Sequence, residues 1–184
     1  MENEFAAIFH KMHPGFFEQE YIKKRPAEIY SDEMLLDLAE FDKDKYVIEV
    51  PANVSLGFYK GNMEMLKNAV AQVDETWVQF FHENSRVYCA AIGSEIASFC
   101  LIDNFGIYSY ADRIMRFGGP GCVGTVPKFR RQGIGLKMVL EVTQILKKEG
   151  YDMSYIHYTS VAPWYAKLGY RTVLRWNCNG FERQ

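Results

Sequence analysis

The residues best placed to do chemistry are Arg130, Arg131, Gly133 and Gly135, which sit together ahead of a patterned apolar stretch. The arginines carry planar donor forks suited to phosphate. The glycines let an anion approach the backbone without meeting a Cβ. The patterned stretch itself reads as a helix. Over residues 136–148 Lys137, Glu141, Gln144 and Lys148 share one face, and Leu136, Val139, Leu140, Thr143 and Leu146 share the other, the spacing of a buried stripe. Lys147 and Lys148 suit the negative end of the dipole, and Gly150 is a natural stop. The glycines therefore stand at a helix N-terminus, where backbone N–H groups lack partners and the dipole adds roughly half a positive charge. Such a place binds anions; the plain alternative is a tight turn with two solvated arginines. The pattern is neither G-x-x-x-x-G-K-[ST] nor G-x-G-x-x-G, since Lys137 and Met138 follow Leu136.

The elements around this loop follow from local pattern. Residues 1–45 read as helical and aromatic-rich. Phe5, Ile8, Phe9 and Met12 share a face, Pro14-Gly15 breaks the run, and 16–24 reads as a second short helix. Ser31, Asp32 and Glu33 read as a third helix start, with Met34, Leu35, Leu38 and Ala39 as its apolar side. This segment is either an extension packed on the core or part of a substrate wall. Residues 46–50 read as a strand stopped by Pro51. Residues 58–82 read as one or two helices, with Met63, Leu66, Val70 and Val73 in one stripe and Trp77, Val78, Phe80 and Phe81 in another. Residues 86–92 and 95–102 read as a hairpin around Gly93-Ser94. A tyrosine-rich, charged loop is expected over 103–117, then strands at 122–126 and 153–158. A helix capped by Ser160 and ended by Gly169, a last strand over 170–176 and a loose polar tail from Asn177 complete the reading.

Two segments carry a resemblance. Arg130-Arg131-Gln132-Gly133-Ile134-Gly135, with Pro127-Lys128-Phe129 before it, resembles the coenzyme A loop of the GCN5-related N-acetyltransferases (GNAT), whose pattern is Arg/Gln-x-x-Gly-x-Gly/Ala. Trp164-Tyr165-Ala166-Lys167-Leu168-Gly169-Tyr170 is similar to the family's aromatic-Tyr-x-Lys-Leu-Gly-aromatic. The likeness covers residues 118–175 closely and reaches back to about 45. It implies an α+β fold: a mixed, mostly antiparallel sheet splayed between the strands at about 122–126 and 153–158, with helices on both faces. One domain over 1–184 is expected, with 1–45 as a helical N-terminal extension packed on it.

The resemblance further implies acetyl-CoA as cosubstrate. Val123, Gly124 and Thr125 would offer backbone groups to the pantetheine arm, and Arg130, Arg131, Gln132, Gly133, Ile134 and Gly135 would hold the pyrophosphate. Tyr165 occupies the position of the acid that protonates the leaving thiolate. The implied reaction is transfer of acetyl to a primary amine of a small-molecule or peptide acceptor, by direct attack in a ternary complex. The alternative is a non-catalytic acyl-CoA-binding or sensing module. Relatives often carry a glutamate on the coenzyme strand; 122–126 holds no carboxylate. A lysine-like amine with pKa of about 10.4 is neutral to only roughly 4 parts in ten thousand at pH 7, so a base is valuable. Asp103, Glu95, Glu49 and His157 are the candidates, Asp103 first because it ends a strand facing the acceptor side. Tyr158 stands where relatives often place an asparagine.

Composition narrows the partners. The chain has 184 residues, 48% hydrophobic and 24% charged, with a formal net charge of −2. That balance gives no basis for a nucleic-acid or membrane-surface role. Cys89, Cys100, Cys122 and Cys178 have no C-x-x-C spacing, so no metal site is expected and reduced structural thiols are. Met1-Glu2-Asn3-Glu4 lacks the layout of a signal peptide. A cytoplasmic protein, monomeric or homodimeric, is the resulting expectation.

Overall fold

The computed structural model describes residues 4–182; the acidic start at Met1–Asn3 and the last two residues of the tail lie outside them. In chain order the elements are α1 (Glu4–Met12), α2 (Glu20–Lys23), β1 (Ser31–Asp37), β2 (Val54–Phe58), α3 (Met63–Ala71), β3 (Val87–Ile92), β4 (Glu95–Tyr110), β5 (Arg113–Thr125), α4 (Ile134–Lys148), β6 (Met153–Thr159), α5 (Ala162–Ala166), β7 (Arg171–Asn177) and β8 (Gly180–Phe181). Short 3-10 turns join several of them. Among the described residues the strands form an open eight-stranded sheet in the hydrogen-bonded order β2-β3-β4-β5-β6-β1-β7-β8. The fold is α+β and mostly antiparallel, as expected. No helix among the described residues is long and apolar enough to cross a membrane.

Four local expectations are corrected. Residues 31–37 are a strand, not the third helix of an N-terminal extension. β1 lies between β6 and β7 and is antiparallel to both. Its Met34, Leu35 and Leu36 are all buried, and a continuous apolar run is what a strand covered on both faces needs. Residues 46–50 have strand composition but are assigned to no helix or strand; the strand after Pro51 is β2, which pairs with β3. The 103–117 loop is instead the outer part of a long hairpin, since β4 runs to Tyr110 and β5 starts at Arg113. Its turn, Ala111-Asp112, has φ of 50° and 58°, the two positive values that match strand twist in a two-residue hairpin. Glu4 accepts a hydrogen bond from the Ala111 N–H at 2.8 Å. The tail is not loose throughout, because β8 pairs with β7 at Trp176–Phe181 and Asn177–Gly180.

The chain divides into two compact units. The first comprises the described parts of Met1–Phe41, Asn104–Gly118 and Gly150–Gln184. Here β6 pairs in parallel with β5 at Phe117–Met153 and Gly118–Ser154. Phe5, Phe9, Phe16, Ile22, Phe117, Tyr155 and Trp176 form a dense core. Its rings meet mostly edge to face, as at Phe5–Tyr155 (5.3 Å) and Phe16–Trp176 (4.9 Å), the arrangement that the ring quadrupoles favour. The second comprises Asp42–Asp103 and Gly119–Glu149. Its β3 pairs with β2 and with β4, and Leu66, Val70, Phe81, Val87, Phe99 and Val126 fill its core. Asn62 caps α3 by accepting from the Glu64 N–H at 2.7 Å. Of the stripe read from the periodicity of α4, Val139, Leu140, Thr143 and Leu146 are buried and Leu136 is half-buried, and Met138 and Val142 are buried with them.

Candidate active site

The basic glycine loop lies in the second unit. A 3-10 turn at Pro127–Phe129 leads out of β5, and α4 begins after Gly133. Arg131 (φ 63°) and Gly133 (φ 75°) both take left-handed conformations. For glycine that is free; for arginine it costs about 1–3 kcal/mol and is held by its surroundings. Gly133 is the N-cap of α4: its carbonyl accepts from the Lys137 N–H at 2.9 Å, and no side chain caps the first N–H groups. Arg130, Arg131 and Gln132 are exposed beside them. Unsatisfied donors, the positive dipole end and two guanidinium groups thus coincide, which is an anion site in its physics. The structure adds a second reason for glycine at 133. A Cβ there would collide with the Glu49 backbone carbonyl, so the close approach of the 46–50 segment itself requires the glycine.

The strand leading to the loop is irregular. Cys122 has φ of 45° inside β5, a break in the regular ladder of the kind that bulges make near functional sites. Val123, Gly124 and Thr125 come directly after it. The Gly124 carbonyl accepts from Ser98 Oγ (2.6 Å) and the Thr125 carbonyl from Arg130 Nε (3.0 Å), which leaves each a second lone pair. Gly124 also makes room for the Phe99 ring, where a Cβ would clash.

Asp103 is in β4 rather than in a loop, half-buried, with its carboxylate against Gly121 of β5; a Cβ at 121 would meet it. It faces Cys122 as well. Burial, then the charges of Asp103 and Asp74, push the Cys122 thiol up to about 12. A thiol held protonated is a poor nucleophile, which weighs against an acetyl-cysteine intermediate. Among the other acids weighed as a base, Glu95 is in an exposed ion pair with Lys128 and the Glu49 side chain is exposed.

Tyr165 lies in the first unit, on α5, with its ring buried edge-to-face against Trp164 (4.8 Å) and Tyr170 (6.0 Å). The same unit holds a cluster whose centre sequence reasoning missed. Glu33, read as part of a helix start, is completely buried. It accepts from Tyr155 Oη (2.5 Å), His157 Nδ1 (2.9 Å), Trp176 Nε1 (2.7 Å) and the Tyr158 N–H (3.2 Å). The ladders of β1 shift register next to Glu33 on both sides, and this bulge re-aims the side chain inward. The one available signal was an acidic residue directly before the apolar run 34–36.

Comparison with known proteins bears on the family and the fold. The family described as Acetyltransferase (GNAT) domain matches residues 50–173, and the chain belongs to that family. Among solved structures, the glucosamine N-acetyltransferase region of a fungal multi-domain GH3 β-N-acetylglucosaminidase superposes with a TM-score of 0.64 at 18% identity, covering 83% of this chain and 20% of that one. A GCN5-related N-acetyltransferase from Sphaerobacter thermophilus gives 0.57 at 19% identity, covering 83% and 51%. One from Kribbella flavida gives 0.51 at 17%, covering 79% and 55%. At such identities the likeness is one of fold, and the chain spans between about a fifth and just over a half of these proteins' lengths. No curated protein matches significantly.

Proposed function

We propose that the protein is an acetyl-CoA-dependent N-acetyltransferase that acts on a primary amine of a small-molecule or peptide acceptor, by direct attack in a ternary complex. The observation that carries this reading is the uncapped N-terminus of α4 flanked by exposed Arg130, Arg131 and Gln132, in a chain of the GNAT family. The backbone N–H groups at Ile134 and Gly135 hold the pyrophosphate, Arg130 and Arg131 add charge, and the backbone of Val123, Gly124 and Thr125 meets the pantetheine arm. Tyr165 donates its proton to the departing thiolate, and Asp103 is the base that takes the acceptor amine's proton. The high pKa of Cys122 supports direct transfer over a covalent relay. No metal takes part, and neither a nucleic acid nor a membrane is a partner. The free cysteines suit a reducing cytoplasm.

A second reading, a non-catalytic acyl-CoA sensor, draws support from the lack of a carboxylate within residues 122–126. One experiment separates the possibilities. At a hundredfold excess over Kd, acetyl-CoA adds about 2.7 kcal/mol of stability and raises Tm, whereas ATP does not. Acetylation across a library of primary amines is then expected for an enzyme and is absent for a sensor. An unchanged Tm with acetyl-CoA overturns both readings.

A further inference from the structure

Ser98, on β4, is completely buried. Its hydroxyl has two partners on β5: the Gly124 carbonyl at 2.6 Å and Thr125 Oγ1 at 3.1 Å. A hydroxyl carries one hydrogen and two lone pairs, whereas a carbonyl can only accept. The Ser98 hydrogen therefore goes to the Gly124 carbonyl. The bond to Thr125 must then run the other way, with Thr125 donating to a Ser98 lone pair. Gly124 is buried as well, and turning the Ser98 hydrogen elsewhere would strip that carbonyl of this donor, a costly exchange for a buried group. The direction of both bonds is thus set by the one member that has no choice.

The consequence falls on Thr125, which is half-buried. Its one hydrogen is spent on Ser98, and both lone pairs of Oγ1 are left without a donor among the described residues. A side chain that ordinarily gives and takes is here an acceptor only. The residue is also held through its backbone. Its carbonyl accepts from Arg130 Nε at 3.0 Å, and the N–H of the next residue, Val126, donates to the Ala97 carbonyl at 3.0 Å. The Phe99 ring lies so close to Gly124 that a Cβ there would clash, so the strand cannot shift on that side. Ser98, Gly124, Thr125 and Arg130 all belong to the second unit, as does the glycine loop. An acceptor fixed in this way, within the strand segment assigned to the pantetheine arm, favours a ligand N–H. That arm contains two amides, each with one N–H.

We propose that the Thr125 hydroxyl is a specificity-determining acceptor for one amide N–H of the pantetheine arm, and that Ser98 is the positioning residue that fixes its direction. The proposal rests on the acetyltransferase reading above. Its signature is discrimination and not tightness alone. An ester oxygen in place of that N–H brings lone pairs against the lone pairs of Thr125. A freely turning threonine would answer by rotating and donating its hydrogen to the ester. With Ser98 in place that hydrogen is already committed, so the ester is rejected.

The test uses the full chain and calorimetry with acetyl-CoA and with two analogues, in each of which one pantetheine amide N–H is replaced by an ester oxygen. The wild-type protein is expected to bind one analogue more weakly than acetyl-CoA by roughly 5- to 50-fold, the range for leaving a buried polar group unpaired. Thr125→Val, which keeps the shape and removes the hydroxyl, should weaken acetyl-CoA by a similar factor and bring that analogue to within about threefold of it, a coupling that a double-mutant cycle isolates. Ser98→Ala should lower the discrimination more than it lowers the affinity for acetyl-CoA, because the Thr125 hydrogen is released to meet the ester. A serine that served only to hold the strands together would lower binding of all three ligands alike. Thermal melts without ligand establish that each variant is folded, and if Thr125→Val is not, Ser98→Ala decides alone. A wild-type protein that binds both analogues as tightly as acetyl-CoA, or folded variants that keep the wild-type discrimination, overturn the proposal while leaving the acetyltransferase reading intact. A wild-type protein that binds no acetyl-CoA overturns both.

Discussion

Replacing Glu33 by alanine removes the acceptor for four hydrogen bonds at once. The four donors do not suffer equally. Trp176 and Tyr155 have no exposure, and an orphaned buried donor costs about 1–3 kcal/mol, which bounds the pair at roughly 2–6 kcal/mol. Tyr155 Oη can turn to His13 Nε2 or His157 Nδ1, now 3.3 and 3.2 Å away, so its share falls. His157 and the Tyr158 N–H lie at half-buried residues and can find water. The vacated space is polar enough to admit one as well. A net loss of about 3–4 kcal/mol is expected, comparable to removing one partner of a buried charge pair. For a chain of this size that lowers Tm by roughly 6–16 °C. Urea denaturation followed by tryptophan fluorescence and by far-UV circular dichroism measures it, with coincident transitions as the check on two-state behaviour. Glu33→Gln keeps the volume but presents an amide donor to a ring of donors, and should recover less than half of the loss. A Glu33→Ala protein within about 1 kcal/mol of wild type, at unchanged m, would refute the claim that these four groups depend on the carboxylate.

Three other outcomes rest on particular contacts. Tyr165→Phe keeps the ring that packs on Trp164 and Tyr170; acetyl-CoA affinity should hold while the single-turnover rate at neutral pH falls by roughly 10²–10⁴, and wild-type single-turnover rates would make the tyrosine structural. Gly133→Ala should destabilise the protein by about 1–3 kcal/mol from its left-handed φ alone, and by more because the new Cβ meets the Glu49 carbonyl; a fully stable variant in thermal melts would contradict that packing. The His13 pKa falls from 6.5 to about 3 on folding, so the unfolded chain binds the extra proton between those values. Stability from this group is therefore complete above about pH 6.5 and is lost as pH falls, with a slope of at most about 1.4 kcal/mol per pH unit. His13→Gln should flatten stability between pH 6.5 and 4.5, and an unaltered slope would show that His13 is not held neutral.

What the sequence determined by itself is whatever short-range pattern can encode. The 3.6-residue stripe of α4 is written in Val139, Leu140, Thr143 and Leu146, and these are buried. The Gly93-Ser94 connection specified its hairpin, and Gly93 indeed takes φ of 62°. The basic glycine loop was readable because a helix N-terminus, two arginines and two glycines are neighbours in the chain. Tertiary structure decided the remainder, because there the local signals were ambiguous. Ser31-Asp32-Glu33 satisfies the chemistry of a helix start, but strand pairing on both edges of β1 outweighs propensity differences of a few tenths of a kcal/mol per residue. Residues 46–50 have the composition of a strand but are built into no ladder of the sheet. The Glu33 cluster joins residues from a turn near the N-terminus, β1, β6 and β7, and no window of sequence contains it. A buried carboxylate becomes favourable only when every donor around it is already in place, and those donors are assembled by the sheet, not by the neighbours of Glu33 in the chain.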